Sequence, residues 1–307
     1  MCRLLSVSTS GFTRYKREKL NQFDCSKNKS MTTSSTDEKI NSTKQSNELK
    51  VHSKIILEEK ILHKLINQIF VKSRREYGHR KIQEALKNMN YFVGKNRIRK
   101  CMKRLGLRAL YKAPFRNTTD SNHENPVAPN LLNRNFYSDQ PNKVWTTDIT
   151  YIHTHEGDLY LCVMLDLFSR QIVGWNIQDY MQAELVVDAL EMAYLIRQPA
   201  AGLIVHSDRG SQYTSQEFQK MITDKGLRSS MSKKGDCWDN APTESLWGHL
   251  KLSVTRKRKF NSKSQAKKEI ISWIGFYNSE RMHETLGYKT PMQFEQDWLN
   301  NLVQATA

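Results

Sequence analysis

Several hallmarks of large protein classes are missing from this chain. Its five cysteines are odd in number and widely spaced, so neither a disulfide framework nor a zinc site is expected. No run of about 18 apolar residues occurs, which excludes a helix crossing a membrane. The apolar stretch Leu4-Leu5-Ser6-Val7 is too short for a signal peptide. No heptad run predicts a coiled coil. Acid is scarce: 31 Asp and Glu stand against 48 Lys and Arg, a net charge of +17 over 307 residues. Such an excess calls for a polyanion, nucleic acid or an anionic membrane, and nucleic acid is the expected partner. A reduced, cytoplasmic protein is expected.

What is present divides along the chain. Residues 21–50 hold nineteen Ser, Thr, Asn or Lys and little that builds a core, so 18–50 is expected to be a disordered linker. From Ile55 the pattern turns helical. Leu57, Ile61, Leu65 and Ile69, flanked by Leu62, Ile66 and Phe70, form one apolar stripe. Helices are predicted over 79–88, burying Ile82, Ala85 and Leu86, and over 95–105, burying Ile98, Met102 and Leu105. Three short helices with a tight break before the last predict a helix-turn-helix domain over 51–112. Residues 95–112 contain eight Lys or Arg and no acid. On a third helix such charges meet phosphates, which makes Arg97, Lys100 and Arg104 candidate DNA contacts. Pro114, Pro126 and Pro129 sit in an aperiodic, Asn-rich linker, 113–137.

The last part, 138–299, alternates strand and helix signals. Strands are predicted over 144–153, 159–167, 171–177, 203–206 and 228–231, and helices over 182–197, 215–225 and 264–277, with another helix opening near Asn240. The first three strands, joined by short turns, read as an antiparallel meander. Acid is absent again from Lys251 to Lys268, which makes Arg256 and Arg258 further candidate DNA contacts.

Three motifs place one carboxylate each. WTTDITYI puts Asp148 in a β-branched strand, where an acid is unfavourable unless something binds it. HSDRGSQYTS puts Asp208 at the end of a second strand. GDCWDNAPTESLWGHLK puts Glu244 in the first turn of a helix, after a capping side chain and Pro242. Thirty-five residues separate Asp208 from Glu244. A lone aspartate is mostly solvated or structural; Asp166, before Phe168-Ser169-Arg170, fits a turn cap. His206 and Arg209 fit equally a supporting or phosphate-binding role and an ordinary strand end. Cys237 has no partner at ligand spacing, and Trp238 fits local packing better than base stacking.

These strings, with Lys251 seven residues after Glu244, resemble the catalytic core of the "DDE" transposases and retroviral-type integrases. More narrowly, over roughly 73–297, they resemble the OrfB transposase of the IS-three family of insertion sequences. YGHRKIQEALK and GKNRIRKCMKRLGL resemble the helix-turn-helix ahead of that core, and YNSERMHETLGYKTPMQF its C-terminal end. The resemblance implies an α/β, RNase H-like integrase core with a mixed five-stranded sheet. It also implies the strand order that makes Asp148 and Asp208 neighbours. Asp148, Asp208 and Glu244 would then be the catalytic, metal-holding triad for two Mg²⁺ (or Mn²⁺) ions, with Asp148 bridging. Lys251, Asn240 and Arg209 would meet DNA. Partners implied are double-stranded DNA, further copies of the chain and an upstream OrfA-type protein or fusion, in a bacterial, nucleoid-associated setting. Residues 1–17 resemble the opening of OrfB chains; a helix fragment packed on something absent fits them as well. Two other functions are weighed: a DNA-binding regulator that keeps the core as scaffold, and a plain RNase H-like nuclease. The intact triad with Lys251 favours the transposase over the first. The upstream DNA-binding module and the basic C-terminal segment favour it over the second.

Overall fold

A computed structural model describes residues 56–110, 126–233, 240–255 and 259–306. The expectations for 1–55, 111–125, 234–239 and 256–258, Arg256, Arg258, Cys237 and Trp238 among them, lie outside the described residues. The chain divides at Leu62 into two units, 1–62 and 63–307. Of the first only 56–62 is described, and it is helical. The second holds all the other described residues, from the body of the first helix onward.

Helix α1 (residues 56–72) buries the line Leu62, Ile66 and Phe70, while Leu57 and Ile61 stay exposed, so the apolar stripe is narrower than its sequence suggests. Helix α2 (His79–Asn88) buries Ile82 and Leu86. Helix α3 (Lys95–Arg104) buries Ile98, Cys101 and Met102 and leaves Leu105 exposed at its end. The break between them is closed by backbone: Asn90 takes φ 57°, and Tyr91 N donates to Leu86 O at 2.8 Å. An asparagine tolerates that left-handed conformation better than most residues. The Gln83 amide donates to Val93 O at 2.9 Å and holds the approach to α3.

The core is a five-stranded sheet in the order β3-β2-β1-β4-β5. Its strands are β1 (Val144–Thr154), β2 (Gly157–Asp166), β3 (Ile172–Gln178), β4 (Ile204–Ser207) and β5 (Arg228–Met231). The meander β1-β2-β3 is antiparallel, whereas β4 pairs parallel to β1 and β5 parallel to β4. Helices α4 (Ala183–Arg197) and α5 (Gln216–Asp224) cover one face, over Trp145, Cys162, Met164 and Val205. Helices α6 (Ala241–Leu250) and α7 (Lys263–Ser279) cover the other, over Ile152, Leu161, Val163 and Leu165. Alternation along β2 divides its residues between the two cores. A final helix, α8 (Pro291–Thr306), closes the described chain. This is the RNase H-like α/β architecture, with a helical region ahead of it.

Asp166 behaves as the turn cap its sequence predicts. Its Oδ1 accepts Phe168 N at 2.8 Å and its Oδ2 accepts Asn142 N at 2.7 Å. Among the described residues, no helix is long and apolar enough to cross a membrane.

Candidate active site

Register brings the two aspartates together. Thr146 of β1 pairs with His206 of β4 in the parallel ladder. Two residues further on stand Asp148, still within β1, and Asp208, just past the end of β4, close enough for the charge of Asp208 to act on Asp148. Strand β4 stops at Ser207, and Asp208 Oδ1 accepts Gly210 N at 2.9 Å, so the carboxylate closes the turn just past the strand.

Helix α6 supplies Glu244 from its first turn and lies across the same face. Trp247, three residues later and fully buried, donates from Nε1 to Asp148 Oδ2 at 2.8 Å. The Ile149 amide donates to Asp148 Oδ1, also at 2.8 Å. Each oxygen of Asp148 is thereby held before any ligand arrives. Asp148 is 9% exposed. Burial first, and then the negative charge of Asp208, push its acid up to about 8; the two hydrogen bonds pull the other way, and Glu244 adds a smaller upward push. Burial also raises the Glu244 acid.

The other side of β1 is a dry backing. Thr147 Oγ1 lies 3.2 Å from the Tyr213 hydroxyl and 3.4 Å from Cys162 Sγ. Burial pushes the Cys162 thiol up to about 12, so it is inert. A cavity of about 350 Å³ opens beside the acids, lined in part by Asp148, Asp208, Tyr151, Tyr160, Met181 and Gln212.

Lys251 follows α6, but the helix does not simply continue. Lys251–Thr255 forms a π-helical turn. The half-buried Lys251 places Nζ 5.4 Å from the centre of the Tyr151 ring. Burial lowers its pKa, and the charge of Asp148 partly offsets this.

Asn240 is not where the sequence suggested. It stands at the N-cap of α6, yet its side chain caps no helical amide. It is 6% exposed, donates from Nδ2 to Thr147 O at 3.4 Å and accepts the Thr243 hydroxyl at 2.8 Å. An expected DNA contact is thus a buried brace between α6 and β1, because the proline-bearing first turn sits against the strand. Arg209 donates from Nε to Ser232 O at 2.7 Å, tying the ends of β4 and β5 together. His206 is fully buried, with Nδ1 2.8 Å from Ser230 Oγ. Arg97, Lys100 and Arg104 all lie exposed on α3, away from its buried side. Sequence reasoning missed Trp247, although its spacing from Glu244 puts both on one helix face.

Comparison with known proteins places this geometry in a class. Residues 138–237 and 225–291 match family models described as integrase core domain, and 57–115 match an HTH-like domain. The chain is therefore an integrase-core protein with a helix-turn-helix-like module. It is 42% identical over 243 residues to the insertion element IS600 uncharacterized 31 kDa protein of Shigella sonnei, covering 79% of this chain and 87% of that one. It is 40% identical to the transposase for insertion sequence element IS904 of Lactococcus lactis, covering 80% and 97%. Its identity to transposase InsF for insertion sequence IS3A of Escherichia coli is 38%, over 74% and 79%. The chain belongs to the insertion-sequence transposases with an integrase core.

Proposed function

We propose that the chain is the transposase of a bacterial insertion sequence, cutting DNA phosphodiester bonds and joining the freed 3′ ends to target DNA. Asp148, Asp208 and Glu244 are its catalytic, metal-holding acids. The observation that carries this is the crowding of carboxylates about Asp148, whose acid is pushed up to about 8 by burial and by Asp208. Hard oxygen donors that repel one another suit Mg²⁺ or Mn²⁺, and Asp148, Asp208 and Glu244 would be the residues that hold the two ions. When bound, such ions activate an attacking oxygen and stabilise the leaving one. Water attacks a phosphate first and breaks its bond to the 3′ oxygen, leaving a 5′ phosphate; the 3′ hydroxyl so freed then attacks a target phosphate and displaces the target's own 3′ oxygen. The chain's own work is positional. Trp247 and the Ile149 amide fix both oxygens of Asp148, and the bond from Gly210 N fixes Asp208 in the turn after β4.

Arg97, Lys100 and Arg104 on α3 meet phosphates, and Arg256, Arg258 and Arg209 extend that contact. Lys251 meets the strand beside the scissile phosphate, where a point charge suffices. We take the helix-turn-helix domain as 51–112 and the catalytic core as 138–299. We further propose a cytoplasmic, nucleoid-associated protein that acts as an oligomer on DNA, alone or with an upstream OrfA-type partner.

Glu244→Gln tests the central claim. It should reduce cleavage by more than the roughly 10–100-fold lost with an outer partner of a metal site, while DNA affinity stays within about twofold. Wild-type cleavage by the purified Gln variant would leave the DNA-binding regulator as the better reading.

A further inference from the structure

The helix-turn-helix region and the catalytic helix meet in one buried charged cluster. Glu76, between α1 and α2, and Arg281, just after α7, each have side chains 3% exposed, with Arg281 Nε 3.0 Å from Glu76 Oε2. The same guanidinium reaches His249 of α6, with Nη2 2.8 Å from the imidazole Nδ1. It also reaches His283, with Nη1 3.0 Å from Nε2. The other oxygen of Glu76 accepts the hydroxyl of Ser253, in the middle of the π-turn. Four segments are thus joined: the link between α1 and α2, the catalytic helix, the π-turn, and the chain that leaves α7.

Three features separate this cluster from ordinary packing. A buried ion pair adds little net stability over apolar residues of the same volume, but it fixes geometry, because neither charge tolerates losing its partner. The module has other anchors on the core that do not touch the catalytic helix. Arg74 bonds Glu269 at 2.9 Å, Lys81 donates to Met282 O at 2.8 Å, and Met282 N donates to the Tyr77 hydroxyl at 2.7 Å. Docking alone therefore does not require Glu76 to reach Ser253. Finally, a π-turn is a rare form that holds one residue more than an α-turn, and such turns gather at functional sites. Gaining or losing that residue rotates the helix before it by about 100° relative to the chain after it. The helix before it carries Glu244 and Trp247, and Lys251 opens the turn itself.

We propose that Glu76 and Arg281 are positioning residues, which through Ser253 and His249 pin the π-turn and so set the rotation of α6 that aims Glu244 and Lys251 at Asp148. The helix-turn-helix module is then part of the active site's scaffold as well as a DNA reader. The proposal rests on the transposase reading for its kinetic consequence, but not for its structural one.

The test uses the full chain and two variants, Ser253→Ala, which spares the ion pair, and Glu76→Gln, which breaks it; both leave the Arg74, Lys81 and Tyr77 anchors in place. Hydrogen exchange is followed over residues 241–255. Single-turnover cleavage is measured at saturating concentrations of a duplex carrying the DNA sequence that borders the gene. Ser253→Ala should speed exchange in the π-turn and slow cleavage by about tenfold, the scale of one hydrogen bond, without weakening DNA binding. Glu76→Gln should do the same, and the double variant should be no slower than the slower single one, because both act on one link. A lower Tm with exchange and cleavage unchanged in that stretch would reduce the cluster to a structural clamp and overturn the proposal. Slower cleavage that merely follows weaker DNA binding would overturn it too. Should the wild-type chain cut nothing, the transposase reading fails, and exchange decides alone: faster exchange upholds the positioning role, and unchanged exchange refutes it.

Discussion

At the scale of single residues, Asp148 concentrates the cost of the site. Its acid, at about 8 in the folded chain, stands well above the usual value near 4 that it regains on unfolding. Between those values the folded state keeps a proton that the unfolded state has lost. Metal-free stability should therefore fall as pH rises from about 4 to about 8. A cation among the acids replaces that proton, so the rise in Tm on adding Mg²⁺ should grow across the same window. An equal rise at pH 5 and pH 8 would separate Asp148 from the metal. Trp247 gives a second residue-scale prediction. Trp247→Phe keeps a buried ring but removes the donor to Asp148 Oδ2. The Mg²⁺ concentration for half-maximal cleavage should rise about 10–100-fold, as is typical when an outer partner of a metal ligand is lost. An unchanged Mg²⁺ requirement would make the indole a packing element alone.

At the scale of elements, most of the architecture was legible in the sequence. Helix α2 and strand β5 have the predicted ends, and the other predicted elements of the core shift by only one or two residues. Periodicity suffices there because each element has a clear apolar face. It could not show that β4 pairs with β1; the resemblance supplied that order, and with it the nearness of Asp148 and Asp208. Three features were not legible at all: the inward turn of Asn240, the π-turn after α6, and the cluster around Arg281. Each depends on partners far away in sequence, about which local pattern says nothing. One close approach is likewise visible only in three dimensions. On Gly174 of β3 a Cβ would lie 2.4 Å from Ala189 O and 2.6 Å from Ala193 Cβ, inside α4. Gly174→Ala must push α4 away from the sheet, and should cost about 1–3 kcal/mol in urea unfolding. Wild-type stability of that variant would mean the helix yields freely.

At the scale of the whole molecule, charge and chain order matter most. With a net charge of +17 and basic residues exposed along α3, DNA affinity should fall steeply with salt. For six to ten phosphate contacts the loss is about 10³–10⁵ between 50 and 200 mM. A flat titration would show that these charges do not meet phosphates. Chain order has another consequence, for the timing of synthesis. The indole that holds Asp148 comes 99 residues after it, on α6. A ribosome that has made the module and both aspartates has still not made Glu244 or Trp247. On the proposed reading, the growing chain acquires the basic helix α3 well before it acquires its full set of acids. On that reading, a message cut short before residue 240 should yield a polypeptide that binds DNA without cutting it, which a gel-shift and a cleavage assay on that truncated chain would check.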